Sequence, residues 1–154
     1  MAGGGILEAK LKAYKKQAEQ LKGKSLEVGF FEGSTYPDGT KVAEVAYWNE
    51  FGVPENNQPP RPFFRQAIAE NKNDWVAKVR LLLEQGATID QVLTILGQDI
   101  VVDIKASIAA FQDPPLSEAT KAAKRAKKSL HPDKPLLDTE VMYQAVQWVI
   151  NNEN

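Results

Sequence analysis

The positions of glycine and proline divide this sequence into short segments, and this division constrains the fold more than any other feature. Gly23, Gly52 and Gly86 interrupt stretches that are otherwise periodic, and Pro114 and Pro115 end the longest stretch. Glycine tolerates the backbone angles that end a helix, and proline lacks the amide hydrogen that would continue one. The sequence therefore predicts helices and strands of limited length joined by short connections.

Most of these segments repeat apolar residues at intervals of three and four, which is the spacing of one helix face. The predicted helices cover about residues 7–21, 42–49, 62–84, 89–111, 118–128 and 139–145, and a strand is the alternative for 42–49. Thr88 and Gln91 have the spacing of a capping box at the start of the 89–111 helix. Gly97, in the interior of that helix, predicts close approach by a neighbouring backbone.

Two segments alternate apolar and polar residues or concentrate β-branched and aromatic ones, and they predict strands at about 26–30 and 146–150. Between the first strand and the next helix, residues 36–39 predict a turn. The order helix, strand, five helices, strand indicates an α+β fold in which a small antiparallel or mixed sheet packs with several helices and helix dominates. At 154 residues, we expect one domain, residues 1–154, with a flexible glycine-rich lead at residues 1–5 and an arm or tail that packs only on a partner.

The composition excludes several classes of protein. The sequence has no cysteine, so disulfides, zinc-thiolate sites, iron–sulfur clusters and a cysteine nucleophile are excluded. A net charge of -1 implies no attraction of the whole chain to DNA or to an anionic membrane. The N-terminal residues lack the apolar stretch of a secretory signal, and no window is apolar enough to span a membrane. We expect a protein made in the cytoplasm, without a membrane contact.

The sequence offers little for catalysis. His131, the only histidine, lies in a polar, proline-rich connection, and nucleophilic and metal sites both need a partnered base. Asp99 and Asp103 are four residues apart on a predicted helix and could converge, but a solvated face explains the pair better. The glycines at the N-terminus do not form a phosphate-binding loop. The prediction is a protein that is not an enzyme and that carries no cofactor and no metal.

One segment concentrates positive charge. At spacings of three and four, most of its cations would lie along one side of the predicted 118–128 helix, and the candidate DNA-facing residues are Lys121, Lys124, Arg125 and Lys128. Such a stripe can neutralise several phosphates without reading sequence. A solvated lysine face is the favoured alternative, because no aromatic or base-reading side chains accompany the stripe.

The most specific pattern consists of two short blocks separated by a proline-rich loop. The blocks are Asn49-Glu50-Phe51-Gly52 and Pro60-Arg61-Pro62-Phe63-Phe64. Together they resemble the pattern of phage neck and tail-completion proteins, a family also called virion morphogenesis or minor tail proteins. Segments 28–30, 36–40, 115–117 and 134–139 are similar to that pattern in the same order, so the resemblance spans about residues 24–149. One departure is Glu140, where the family pattern has glycine.

The resemblance implies a structural, non-catalytic protein that forms a homo-oligomeric ring at the head–tail junction of the virion after assembly in the host cytoplasm. Its implied partners are other neck and connector proteins and the tail-tube or terminator subunits. Genomic DNA would make at most non-specific contacts with it. The alternative function is a DNA-binding or channel-lining protein that uses the basic helix.

The two blocks also suggest a physical role that does not depend on the family. Glu50, at the end of its helix, and Arg61, after the loop, are predicted to form an ion pair that closes the loop. The aromatic residues of the blocks are predicted to anchor both ends of the loop in the core, and they are Phe51, Phe63 and Phe64. The closed loop, residues 53–60, would then project towards a partner. The alternative is that the blocks only maintain the fold, and the sequence leaves both open.

Overall fold

The fold is α+β and helix dominates it, as the sequence predicts. The computed structural model describes residues 3–136 and 140–153. Its elements follow the predicted order, and they are α1 (Gly3–Leu21), β1 (Lys24–Phe30), α2 (Val42–Phe51), α3 (Phe63–Glu84), α4 (Ile89–Ala110), α5 (Glu118–Ala126), α6 (Val141–Gln144) and β2 (Val146–Asn152). Segment 42–49 is helical, so its alternative as a strand is wrong.

The sheet pairs the strand that follows α1 with the last element of the described chain. Strands β1 and β2 are antiparallel, with Lys24 opposite Asn152 and Phe30 opposite Val146. Gly23 precedes β1 with φ +71°, and a Cβ atom there would lie 2.6 Å from the carbonyl oxygen of Glu153. The chain therefore needs glycine where α1 turns into the sheet.

Helix α1 begins earlier than the sequence predicts. Gly3 to Gly5, predicted as part of a flexible lead at residues 1–5, belong to its first turn. Residues 1 and 2 lie outside the described residues. The other end of α1 and the connection after it agree with the prediction, since the helix ends at Leu21.

The core forms where α4 crosses the sheet and meets the first turns of α2 and α3. Ile104 and Ile108 of α4 are fully buried at its centre. The other buried members of this cluster are Val42, Ala46, Phe63, Ala67, Phe111, Leu136, Met142, Ala145 and Val146. The capping box predicted at Thr88 and Gln91 starts α4, with both of its hydrogen bonds present.

Gly97 is in close contact with a side chain and not with the predicted backbone. A Cβ atom at this position would lie 2.7–2.9 Å from the indole ring of Trp148 on β2. The missing side chain of Gly97 lets α4 lie flat against the strand, because the ring fills the space where a methyl group would be. The prediction of a close approach is confirmed, and the identity of the neighbour is corrected.

The buried face of α3 agrees in part with the periodic stripe that the sequence predicts for this helix, which is Phe64, Ile68, Trp75, Val79 and Leu82. Phe64, Trp75, Val79 and Leu82 are half-buried, whereas Ile68 is 40% exposed, and the fully buried residues Phe63 and Ala67 lie outside the stripe. Only the first turns of α3 reach the central cluster. Further along, polar contacts hold α3 to α4, since the indole nitrogen of Trp75 donates to Asp103 Oδ2 at 2.6 Å and Lys78 pairs with Asp99.

Candidate partner-binding surface

Glu50 lies where the end of α2 meets the start of α3, and its buried carboxylate connects the two helices. The Oε2 atom accepts a hydrogen bond from the backbone nitrogen of Phe64 at 2.9 Å, and Oε1 accepts one from that of Arg65 at 3.2 Å. Pro62, at the N-cap of α3, provides no capping side chain. The first amides of a helix have no partner within it and favour a negative charge. Glu50 therefore caps α3 from another helix.

The ion pair predicted between Glu50 and Arg61 is wrong. The partner of Glu50 is Arg65, whose Nε donates to Oε1 at 2.7 Å. Arg65 lies on the first turn of α3, beside the amides that the carboxylate caps, whereas Arg61 precedes the helix. The guanidinium Nε of Arg61 instead donates to the carbonyl oxygen of Pro114 at 3.3 Å. Burial lowers the pKa of Arg61 from its usual value.

Arg61 is a buried cation, with 6% of its surface exposed. Its backbone nitrogen donates to the carbonyl oxygen of Asn49 at 2.6 Å, and its side chain reaches the connection between α4 and α5. It thereby links the loop after α2 to a segment more than fifty residues further along the chain. Because the backbone and the side chain of Arg61 each donate a hydrogen bond to a different segment, this residue maintains the fold.

The loop between the two blocks is closed, as predicted, but by the backbone. Val53 and Gln58 exchange two hydrogen bonds, of 2.9 and 3.1 Å, and form an isolated antiparallel bridge. The residues between them, which the sequence predicts as irregular, include the short 3-10 turn Pro54–Asn56. Asn57 follows this turn in the left-handed region, which asparagine tolerates better than most residues.

Two residues of the first block hold this loop against α2. Gly52 has φ +78°, and a Cβ atom there would lie 2.8 Å from both the carbonyl oxygen of Gln58 and the nitrogen of Pro60. The side-chain oxygen of Asn49 accepts a hydrogen bond from the side chain of Gln58 at 3.2 Å. These contacts explain why glycine and asparagine suit these two positions.

The three aromatic residues of the blocks have different environments. Phe63 is in the core, as predicted, and Phe64 is half-buried. Phe51 was predicted to be an anchor but is 51% exposed. Its ring centroid is 4.7 Å from that of Tyr47, and the Arg65 guanidinium carbon is 4.9 Å from the Phe51 centroid. The buried face of α2 is occupied by residues 42, 46 and 50, so Phe51 faces outward.

These side chains border an open apolar depression, which we call the aromatic groove. Tyr47, at its edge, is 62% exposed. The groove is lined by Phe30, Ala43, Tyr47, Phe51, Phe64 and Arg65. Exposed aromatic residues beside an apolar depression are typical of protein-binding surfaces.

A second exposed apolar surface lies on α1, which we call the N-terminal arm. Its predicted periodic stripe is present, yet Leu7 is 63% exposed and its neighbours along the same face are also exposed, namely Leu11, Tyr14 and Leu21. Ile6, on an adjoining face, is exposed as well. The arm touches the rest of the molecule near its C-terminal half, where the side-chain amide of Gln17 donates to the carbonyl oxygen of Leu83 at 3.4 Å. The arm therefore carries a helix face that its own chain does not cover.

The candidate DNA-facing cations on α5 do not form an open stripe. Lys124 is 7% exposed, and its amine donates to the carbonyl oxygen of Lys134 at 2.7 Å. This contact removes Lys124 from the phosphate-facing set, because the loop after α5 folds over that side of the helix. Two other cations form ion pairs, Lys121 with Glu118 and Arg125 with Asp133. Lys128 is exposed, just beyond the end of the helix.

His131 and Glu140 lie close together at the start of α6. The Nε2 atom of His131 is 2.7 Å from Glu140 Oε1. Glu140 has φ +60°, in the left-handed region that favours glycine. Glycine, which the sequence resemblance predicts at this position, would adopt this angle without strain. Residues 137–139, which belong to the same part of the resemblance, lie outside the described residues.

Comparison with known proteins finds no match to a family model, a curated protein or a solved structure. Within residues 3–136 and 140–153, no group of three or more histidine, aspartate or glutamate side chains is placed to hold a metal ion. In the same part of the chain, no helix has the length and hydropathy to cross a membrane. The most distinctive apolar features of the described surface are the aromatic groove and the N-terminal arm.

Proposed function

We propose that this protein is a structural, non-enzymatic assembly protein of a tailed bacteriophage, of the neck or tail-completion type that joins head to tail. The observation that carries the proposal is the block pattern that resembles this family, which in this fold builds an exposed aromatic groove. Tyr47 and Phe51 contact each other, but more than half of each side chain is exposed in the single chain, and burial of this apolar surface on a neighbouring subunit would be favourable.

The two alternatives for the blocks, partner binding and maintenance of the fold, apply to different residues. Asn49, Glu50, Gly52 and Arg61 maintain the fold, since their contacts are internal. Phe51 faces outward and provides contact area for a partner. The buried residues hold the exposed one in place, which keeps the binding surface rigid before the partner arrives and lowers the entropy lost on binding.

The partners that this role requires are other phage proteins at the same junction. They are neck and connector proteins on the head side and tail-tube or terminator proteins on the tail side. We place the protein in a homo-oligomeric ring in the finished virion, and in the host cytoplasm during assembly. Genomic DNA that passes through the ring would meet it without sequence preference.

Electron microscopy of phage lysates tests this proposal. A phage that carries this gene is compared with the same phage after the gene is inactivated, and joined virions, DNA-filled heads and free tails are counted. Full heads beside unjoined or over-long tails are the expected result. Normal numbers of joined virions without the gene would refute the joining role.

Complementation with variants then tests the surface itself. Phe51→Asp places a charge in the aromatic groove, and it should restore few joined virions. Val102→Asp is the matched control, because Val102 is 63% exposed on α4, and it should restore joining as well as the natural chain does. Equal rescue by both variants would contradict the assignment of the groove to a partner.

A further inference from the structure

The charges of this chain are segregated along the sequence. Residues 1–24 contain six lysines and two glutamates, whereas residues 25–60 contain six acidic residues and one lysine. The remaining residues are balanced, with twelve of each sign. The net charge of -1 therefore conceals a basic N-terminal segment and an acidic segment that follows it.

Each charged segment carries one of the two exposed apolar surfaces. The N-terminal arm lies in the basic segment, and its exposed lysines are Lys10, Lys12, Lys15 and Lys16. Most of the aromatic groove comes from the acidic segment, whose exposed carboxylates are those of Glu27, Glu32, Asp38, Glu44 and Glu55. The segments that carry the two surfaces are opposite in charge, and Glu44 lies one helical turn before Tyr47 on α2, although the groove lining itself includes the cation Arg65. Both surfaces are apolar at their centre.

We propose that the N-terminal arm of one copy of this chain binds in the aromatic groove of the next copy. An apolar helix face that enters an apolar groove is a common mode of protein recognition. Leu7, Leu11 and Tyr14 are spaced by four and three, so they form a stripe about 10 Å long on one side of the arm. Both surfaces are exposed in the single chain, so each is available to another copy.

The proposed contact joins two different surfaces, and such a contact repeats from copy to copy. It closes into a ring when the rotation between neighbours allows it. The ring rests on the proposed function, whereas the contact itself can be measured on the purified full chain. The arm–groove contact and the proposed joining role can therefore be refuted independently.

Cross-linking tests the contact directly, because the chain has no natural cysteine. Chains that carry Leu11→Cys are mixed with chains that carry Tyr47→Cys and treated with a short bis-maleimide. The control mixture replaces the second chain with Val102→Cys, at an exposed site on α4. We expect the arm–groove pair to link about tenfold faster than the control pair, because docking raises the effective concentration. Equal rates at the highest soluble concentration would overturn the proposal.

A second experiment distinguishes arm–groove binding from pairing of two arms. Leu7→Glu with Leu11→Glu disables the arm, and Tyr47→Glu with Phe51→Glu disables the groove. We expect the mixture of the two variants to cross-link through cysteines at intact sites into a dimer and no larger species, since one working contact remains. Self-association of the groove variant through its arms would overturn the proposal. Failed cross-linking combined with unjoined heads and tails in the lysates would reject this contact and leave the joining role intact.

Discussion

Replacing Glu50 by alanine tests the central contact of this structure. The carboxylate is 5% exposed and accepts hydrogen bonds from two backbone amides of α3 and from Arg65. Glu50→Ala leaves these amides without their cap and leaves a space between α2 and α3. We expect the variant to fold with lower stability, because the core residues on either side are unchanged.

The expected loss follows from the individual contacts. Loss of a helix N-cap costs about 0.5–2 kcal/mol, and an unsatisfied amide costs about 1–3 kcal/mol if water cannot reach it. The contact with Arg65 adds little, since 59% of that side chain is exposed and solvent screens the pair. Removal of a buried charge offsets part of the loss. We therefore expect about 3 kcal/mol, which corresponds to roughly 6–12 °C in Tm for a chain of this size.

Urea denaturation followed by circular dichroism measures this change. Glu44→Ala is the matched control, because it removes an exposed carboxylate from the same helix, and it should change the free energy of unfolding by about 0.5 kcal/mol or less. Glu50→Gln should lie between the two, since it keeps one acceptor oxygen and replaces the other with an NH2 group, which cannot accept a hydrogen bond from a backbone amide. If Glu50→Ala and Glu44→Ala were equally stable, the capping role of Glu50 would be refuted.

Three further changes test other contacts by the same denaturation experiment. Arg61→Ala should destabilise the fold by about 2 kcal/mol, because the carbonyl of Pro114 loses a charged donor; an unchanged midpoint would contradict that structural role. Gly97→Ala should cost about 1 kcal/mol, as overpacking against Trp148 exceeds the gain in helix propensity, and near-ultraviolet circular dichroism should report the displaced ring. Glu140→Gly should be about 1 kcal/mol more stable than Glu140→Ala, because both lose the side chain and only glycine relieves the left-handed strain; equal midpoints would exclude this strain.

The local sequence contains enough information to predict most elements. A capping box and a pair of prolines define α4, and glycines mark the ends of α1 and α2. These signals act within a few residues, through backbone angles and the satisfaction of amides at helix ends. The element order and the helix-dominated α+β class therefore followed without knowledge of any distant contact.

The sequence-based predictions that are wrong concern contacts that depend on how the helices are placed relative to one another. Glu50 can reach either Arg61 or Arg65 by sequence separation, and the direction in which α3 leaves the loop decides that Arg65 is its partner. The sequence predicts that Phe51 anchors the loop in the core, but α2 buries the face that carries residues 42, 46 and 50, and Phe51 is exposed. The sequence predicts Lys124 as a surface cation, but the loop after α5 places the carbonyl oxygen of Lys134 within hydrogen-bond distance of its amine.

By itself, the sequence determined the order of helices and strands, the approximate bounds of most of them, and how charge is distributed along the chain. The tertiary structure alone decided which apolar residues remain exposed, and so placed a groove in the acidic segment and an uncovered helix face in the basic one. The physical reason is the range of the interactions. Backbone preferences act between near neighbours, whereas burial depends on which faces the assembled helices cover.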